Sequence, residues 1–92
     1  MEIKIIVKYK NDQLKKVRKE KDLSQQEVAK ATGVSLSAYQ SYEQGKRDFN
    51  GARLDIILRT CLTLECKMED VLTDPETLKL LKQYQEMVDN ME

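Results

Sequence analysis

The spacing of apolar positions changes once along this chain. Across residues 2–9, Ile3, Ile5, Val7 and Tyr9 alternate with Glu2, Lys4, Ile6 and Lys8. A period of two in β-branched residues predicts a strand. From Leu14 onward the period becomes helical. Leu14 and Val17 predict a short amphipathic helix to about Lys21, capped by Asn11 or Asp12. "SQQE", Ser24 to Glu27, reads as a capping box that opens a second helix. Val28 and Ala29 face inward on it, and it stops near Thr32. Gly33 then supplies a residue able to take positive φ at a sharp turn.

Ser35 caps a third helix, over about 35–44, and Gly45 ends it. Two short helices joined by a tight glycine turn predict a helix-turn-helix. "KRDFNGA" reads as a loop. A fourth helix follows, with Leu54, Ile57, Leu58, Cys61 and Leu64 at helical spacing, and "KMEDVL" reads as a short fifth. "DPE" opens the last helix: Asp74 caps it, Pro75 takes the first turn, and Glu76 meets the positive end of the dipole. That helix runs to about Asn90. Leu80, Tyr84, Met87 and Met91 form a seam along it, with Leu81 and Val88 beside them. The seam is under two heptads long, and it fits packing on its own domain as well as packing on a partner.

The expected fold is therefore all-α: a five-helix domain with an amino-terminal β-strand arm and an extra carboxyl-terminal helix. The boundaries fall at 1–11, 12–73 and 74–92. No second strand is offered to the first. Its open backbone groups call for its own copy in a second protomer, so a homodimer is expected with this strand as one contact. The carboxyl-terminal seam is the alternative contact.

The third helix carries the most informative surface. With Leu36 at zero and steps of about 100°, Gln40, Gln44, Ser37 and Ser41 fall at about 40°, 80°, 100° and 140°. Ala38, Tyr42 and Tyr39 fall on the other side, toward a core. The first side is short-chained and uncharged, with donors and acceptors both present. Glutamine can bond adenine bidentately, serine can meet several bases, and Leu36 can touch a thymine methyl. A solvated helix surface fits the angles equally well.

Charge sharpens the picture. The net charge of the 92 residues is zero, yet residues 1–47 hold eleven Lys/Arg against six Asp/Glu, and residues 48–92 hold five against ten. A basic half suits a polyanion and an acidic half belongs away from it. There is no histidine. General acid–base work would rest on other groups, and no spacing assembles them, so no enzyme is expected. Cys61 and Cys66 have no histidine or second cysteine pair beside them. They read as reduced core thiols, with no metal and no cofactor. No apolar run reaches membrane-spanning length and no signal peptide opens the chain, so a cytoplasmic protein without a membrane partner is expected.

The stretch "LKKVRKEKDLSQQEVAKATGVSLSAYQSYEQGKR", Leu14 to Arg47, resembles the helix-turn-helix of phage repressor/Cro-type transcriptional regulators, the xenobiotic-response-element family. "LSQQEVA", "TGVS" and "YEQGKR" stand in the family's order and spacing, and the resemblance extends from about Leu14 to Leu72. It implies a sequence-specific DNA-binding regulator of double-stranded DNA. Leu36, Ser37, Gln40 and Ser41 take the base-reading positions. Gln25, Gln44, Lys46 and Arg47 take positions at the DNA backbone. Arg18 and Glu43 take positions that pair inside the fold, and Gly33 takes the turn. Three departures stand out: Tyr39 sits where a smaller aliphatic residue is usual, "DFNGA" lengthens the loop before the fourth helix, and the strand before the domain and the helix after it are additions to the minimal fold. An inverted repeat read by a dimer follows from the small size of one reading unit. The other function open to this fold is an antitoxin-like or adaptor module, with a protein partner at the carboxyl-terminal helix.

Overall fold

The computed structural model of the protein describes residues 8–91. Among these the chain is all-helical. The helices are α1 (Asp12–Glu20), α2 (Gln25–Thr32), α3 (Leu36–Gln44), α4 (Leu54–Leu64), α5 (Met68–Val71) and α6 (Pro75–Asp89). A 3₁₀ turn at Phe49–Gly51 lies between α3 and α4. No strand occurs among the described residues. Most of the expected strand, residues 2–7, lies outside them. Its described end is not β: the Tyr9 N–H donates to the Gly45 carbonyl at 2.9 Å, a helix terminus rather than a strand edge.

Local chemistry sets the helix ends. Asn11 caps α1 by accepting from the N–H groups of Gln13 and Leu14. Ser24 and Glu27 form a reciprocal capping box on α2, which satisfies two amide donors the helix leaves open. Gly33 ends α2 at φ 77° and Gly45 ends α3 at φ 78°, a left-handed backbone that a Cβ disfavours. Asp74 caps α6 by accepting from Thr77, with Pro75 in the first turn.

The core gathers one face from each of the first five helices. Leu14 from α1, Val28 from α2, Tyr39 from α3, Leu64 from α4 and Val71 from α5 are each at most 1% exposed. Each such side chain contributes about 1.5–3 kcal/mol by leaving water. α2 packs against α3 and α4, and α1 packs against α5. Phe49 explains the long loop. It turns inward, 1% exposed, and meets the edge of Tyr42 at 5.5 Å between ring centres. The stretch expected as plain loop is thus a core-anchored 3₁₀ turn.

Two of the apolar positions at helical spacing on α4 stay outside the core. Leu54 and Leu58 are 63% and 42% exposed, while Ile57, Cys61 and Leu64 are buried. α6 buries no residue at all. Leu78 packs against the core, Leu80, Leu81 and Tyr84 border a groove beside Leu54, Leu58 and Leu72, and the seam beyond Tyr84 is exposed.

Two asparagines tie distant segments together. Asn11 Nδ2 donates to the Val71 carbonyl at 2.8 Å, joining α1 to α5. Asn50, in the 3₁₀ turn, accepts from the N–H groups of Thr73 and Asp74 at 2.7 and 3.0 Å. Its Nδ2 also donates to Thr73 Oγ1 at 3.1 Å. The base of α6 is therefore fastened to the turn that follows α3.

Candidate nucleic-acid interface

α3 is held at both ends and from beneath. Ser35 Oγ accepts from the Ala38 N–H at 3.1 Å. At the other end the N–H groups of Lys46 and Arg47 both donate to the Ser41 carbonyl, at 2.9 and 3.1 Å. Tyr39 and Tyr42 are buried on its inner side, 1% and 8% exposed. Leu36, Ser37 and Gln44 are exposed on the outer side, with Gln40 and Ser41 half-buried beside them.

Beneath α3 lies a chain of polar contacts. Arg18 grips Glu43 with two hydrogen bonds, Nε to Oε2 at 2.6 Å and Nη2 to Oε1 at 3.0 Å. Its Nη1 donates to the Leu23 carbonyl at 2.8 Å. Gln25 Nε2 also donates to Glu43 Oε1, at 3.1 Å. Gln40 Nε2 in turn donates to Gln25 Oε1, at 3.1 Å. The Arg18 and Glu43 side chains are only 10% and 2% exposed. Burial pushes the Glu43 carboxyl upward, but the hydrogen bonds from Arg18 and its neighbours outweigh it and hold the group below the usual glutamate range. The hydrogen bond to Glu43 likewise raises Arg18, against the opposing effect of burial. Both stay charged.

The Tyr39 hydroxyl is buried near this pair. Burial first, and the neighbouring Glu43 carboxylate second, raise its pKa well above the tyrosine range. It nevertheless finds no partner in hydrogen-bonding geometry among the described residues.

A helix-turn-helix family model matches residues 14–61, just over half of the chain. The chain belongs to the Cro/C1-type helix-turn-helix family. This helix-turn-helix protein is also similar to a solved structure, the restriction-modification controller protein C.AhdI from Aeromonas hydrophila. The TM-score is 0.57 at 27% identity, covering 64% of this chain and 85% of that one. Comparison with curated protein sequences gives no match. The family is one of DNA-binding regulators.

Within this helix-turn-helix protein, four of the site residues expected from sequence, Arg18, Glu43, Gln25 and Gln40, form one connected group. Gln25 and Gln40 meet directly through their amides. Ser41 Oγ donates back to the Ser37 carbonyl at 2.9 Å, which leaves its acceptor lone pairs open. Lys46 and Arg47 are exposed and make no ion pair among the described residues. Arg18 and Glu43 are joined, and Gly33 stands at the turn.

The Gln25–Gln40 bond was not foreseen. Sequence spacing places both on polar faces but carries no sign that two faces from different helices converge. The docking of Tyr9 on Gly45 was also missed. It sets the backbone at Tyr9 beside the end of α3, with Lys8 over the Tyr9 ring and Lys10 beside Asp12. Cys61 and Cys66 are free thiols. Burial pushes Cys61 up to about 12, so it stays a neutral thiol at physiological pH. No described group of three His, Cys, Asp or Glu side chains has metal-binding geometry. Among the described residues no helix is long and apolar enough to cross a membrane.

Proposed function

We propose that this chain is a transcriptional regulator that inserts α3 into the DNA major groove and reads base edges with Leu36, Ser37, Gln40 and Ser41. It acts as a dimer on an inverted repeat. One observation carries the reading: the outer side of α3 is uncharged, rich in hydrogen-bonding groups, and braced from below. Gln25 takes one N–H of the Gln40 amide. The Gln40 Oε1 and its second N–H remain available, the acceptor and donor an adenine edge requires. A side chain already fixed in its rotamer loses less entropy on binding.

The backbone contacts follow from the same geometry. The first N–H groups of α2, at Gln25 and Gln26, are open donors at a helix amino terminus, which suits a phosphate. Gln44, Lys46 and Arg47 supply contacts at the far end of α3. Residues 12–73 form the DNA-binding unit, and 74–92 add a separate contact helix. Similarity to a restriction-modification controller supports a regulatory role for this protein.

Binding-site selection from random DNA followed by titration of the Gln40→Ala variant tests the reading. Affinity for the selected site should drop by about 1–3 kcal/mol while affinity for unrelated DNA stays level. Equal losses on both would remove Gln40 from the reading set. Unchanged affinity for the selected site after replacing both Gln40 and Ser41 would favour a protein-binding adaptor instead.

A further inference from the structure

α6 has an unusual internal symmetry. Residues taken outward from Tyr84 in both directions match in character: Gln83 with Gln85, Leu81 with Met87, Leu80 with Val88. The charged positions match with opposite sign, Lys82 with Glu86 and Lys79 with Asp89. On a regular helix Leu80, Leu81, Met87, Val88 and Met91 all fall within about 60° of Tyr84, so they form one apolar face centred on that ring. The four charges lie about 140–160° round the helix, on its back.

The face is uncovered. Leu80, Tyr84, Met87, Val88 and Met91 are 42–65% exposed, and no residue of α6 is buried. Beside the first half of α6 lies an open apolar groove of about 480 Å³, lined by Leu54, Leu58 and Leu72 together with Leu80, Leu81 and Tyr84. One half of α6 therefore flanks an unfilled groove. The other half offers exposed methionines and a valine.

We infer that α6 pairs antiparallel with α6 of a second copy of this chain, on a twofold axis through Tyr84. In that register Leu80 faces Val88, Leu81 faces Met87 and Thr77 faces Met91 of the second copy. Each carboxyl-terminal half then lies over its partner's groove, where flexible methionines fill irregular space well. A parallel pair would set groove against groove and leave the carboxyl-terminal methionines to face one another. It would also set like charges alongside one another, whereas the antiparallel pair sets the lysine end beside the acidic end. The charges stand too far round the helix for ion pairs, so they bias direction only. The pairing covers the exposed side chains of Leu54, Leu58, Leu80, Tyr84, Met87, Val88 and Met91. The inference stands independently of DNA reading.

Cysteine pairs test it on the full chain without DNA. Leu80→Cys and Val88→Cys are made separately, oxidised alone and mixed, and the products mapped by peptide mass so that Cys61 and Cys66 are distinguished. The mixture should give an 80–88 crosslink, and either variant alone should give little. Position 80 lies about 12 Å along the axis from its own copy, beyond disulfide reach. Self-crosslinking of each variant with no preference in the mixture would overturn the antiparallel register. Sedimentation supplies the second measurement. Tyr84→Glu, which sets two carboxylates together on the axis, should weaken the dimer at least about a hundredfold, while its circular dichroism spectrum stays that of the folded protein and its melt loses the concentration dependence that dimerisation gives the wild type. A wild-type chain that is monomeric across the micromolar range would overturn the pairing altogether and leave the face to a different protein.

Discussion

The Glu43 carboxylate receives three hydrogen bonds from two side chains, Arg18 and Gln25, while its own side chain is 2% exposed. A buried pair of this kind is more informative when broken than when counted. Its desolvation cost offsets much of its attraction, but removing one partner strands the other. Arg18→Ala should therefore cost roughly 3–5 kcal/mol in denaturant unfolding, and replacing both residues by apolar ones of similar volume should cost much less. The same carboxylate governs acid stability. Its folded pKa lies below its unfolded value, so it contributes stability above the unfolded glutamate range, and that contribution disappears as pH falls through the folded value. Wild-type stability should thus decline on acidification below about pH 4–5, and Glu43→Gln should flatten that decline. Glu27 and Asp74 are lowered by their capping bonds to Ser24 and Thr77 and add the same sign, so some slope remains in the variant. An unchanged pH profile would mean that the acid response arises elsewhere.

Element by element, what could be read from sequence was what is settled within four residues. Ser24 with Glu27, Ser35, Asp74 with Pro75, and the two glycine ends all lie where the chain writes them, because a cap is satisfied by its own helix. The apolar spacing also located α1, α2 and α3 closely. The Arg18–Glu43 pair, 25 residues apart, came from family resemblance and not from spacing. What escaped was decided across the fold. Nothing in "DFNGA" announces that Phe49 enters the core or that Asn50 binds Thr73 and Asp74. On α4, helical spacing admitted Leu54 and Leu58 to the inner face, but a periodicity cannot say how wide the covered stripe is. The turn between α2 and α3 gives the prediction at this scale. A Cβ on Gly33 would meet Arg59 Nη1 at 3.4 Å, an ordinary contact, so the cost of Gly33→Ala comes from its backbone at φ 77°. Thermal unfolding should show a loss of about 1–2 kcal/mol, and Gly33→Asn should lose less because asparagine tolerates the left-handed region. Equal losses for the two would point to the side-chain contact instead.

At the scale of the whole molecule the chain is elongated, 59 × 26 × 22 Å, with a radius of gyration of 14.4 Å. A compact chain of this length would measure about 12 Å. Among the described residues, α6 is the helix that projects from the five-helix body, since it buries no residue. The three hydrogen bonds of Asn50 to Thr73 and Asp74 fix the base of that projection. Asn50→Ala removes all three and leaves the cap and first turn of α6 intact, so the variant should retain α6 helicity by circular dichroism and lose about 1–3 kcal/mol in global stability. Geometry gives this residue a second importance. α6 has 15 residues, so it is about 22 Å long, and a tilt of about 10° at its base swings its far end by about 4 Å. That displacement is comparable to the roughly 3.4 Å between successive base pairs. If two copies are joined through their sixth helices, Asn50 is the pivot of a lever whose angle sets the distance between the two reading helices. Loosening it should then let the dimer accept operators with one base pair added or removed between half-sites, which the wild-type protein rejects.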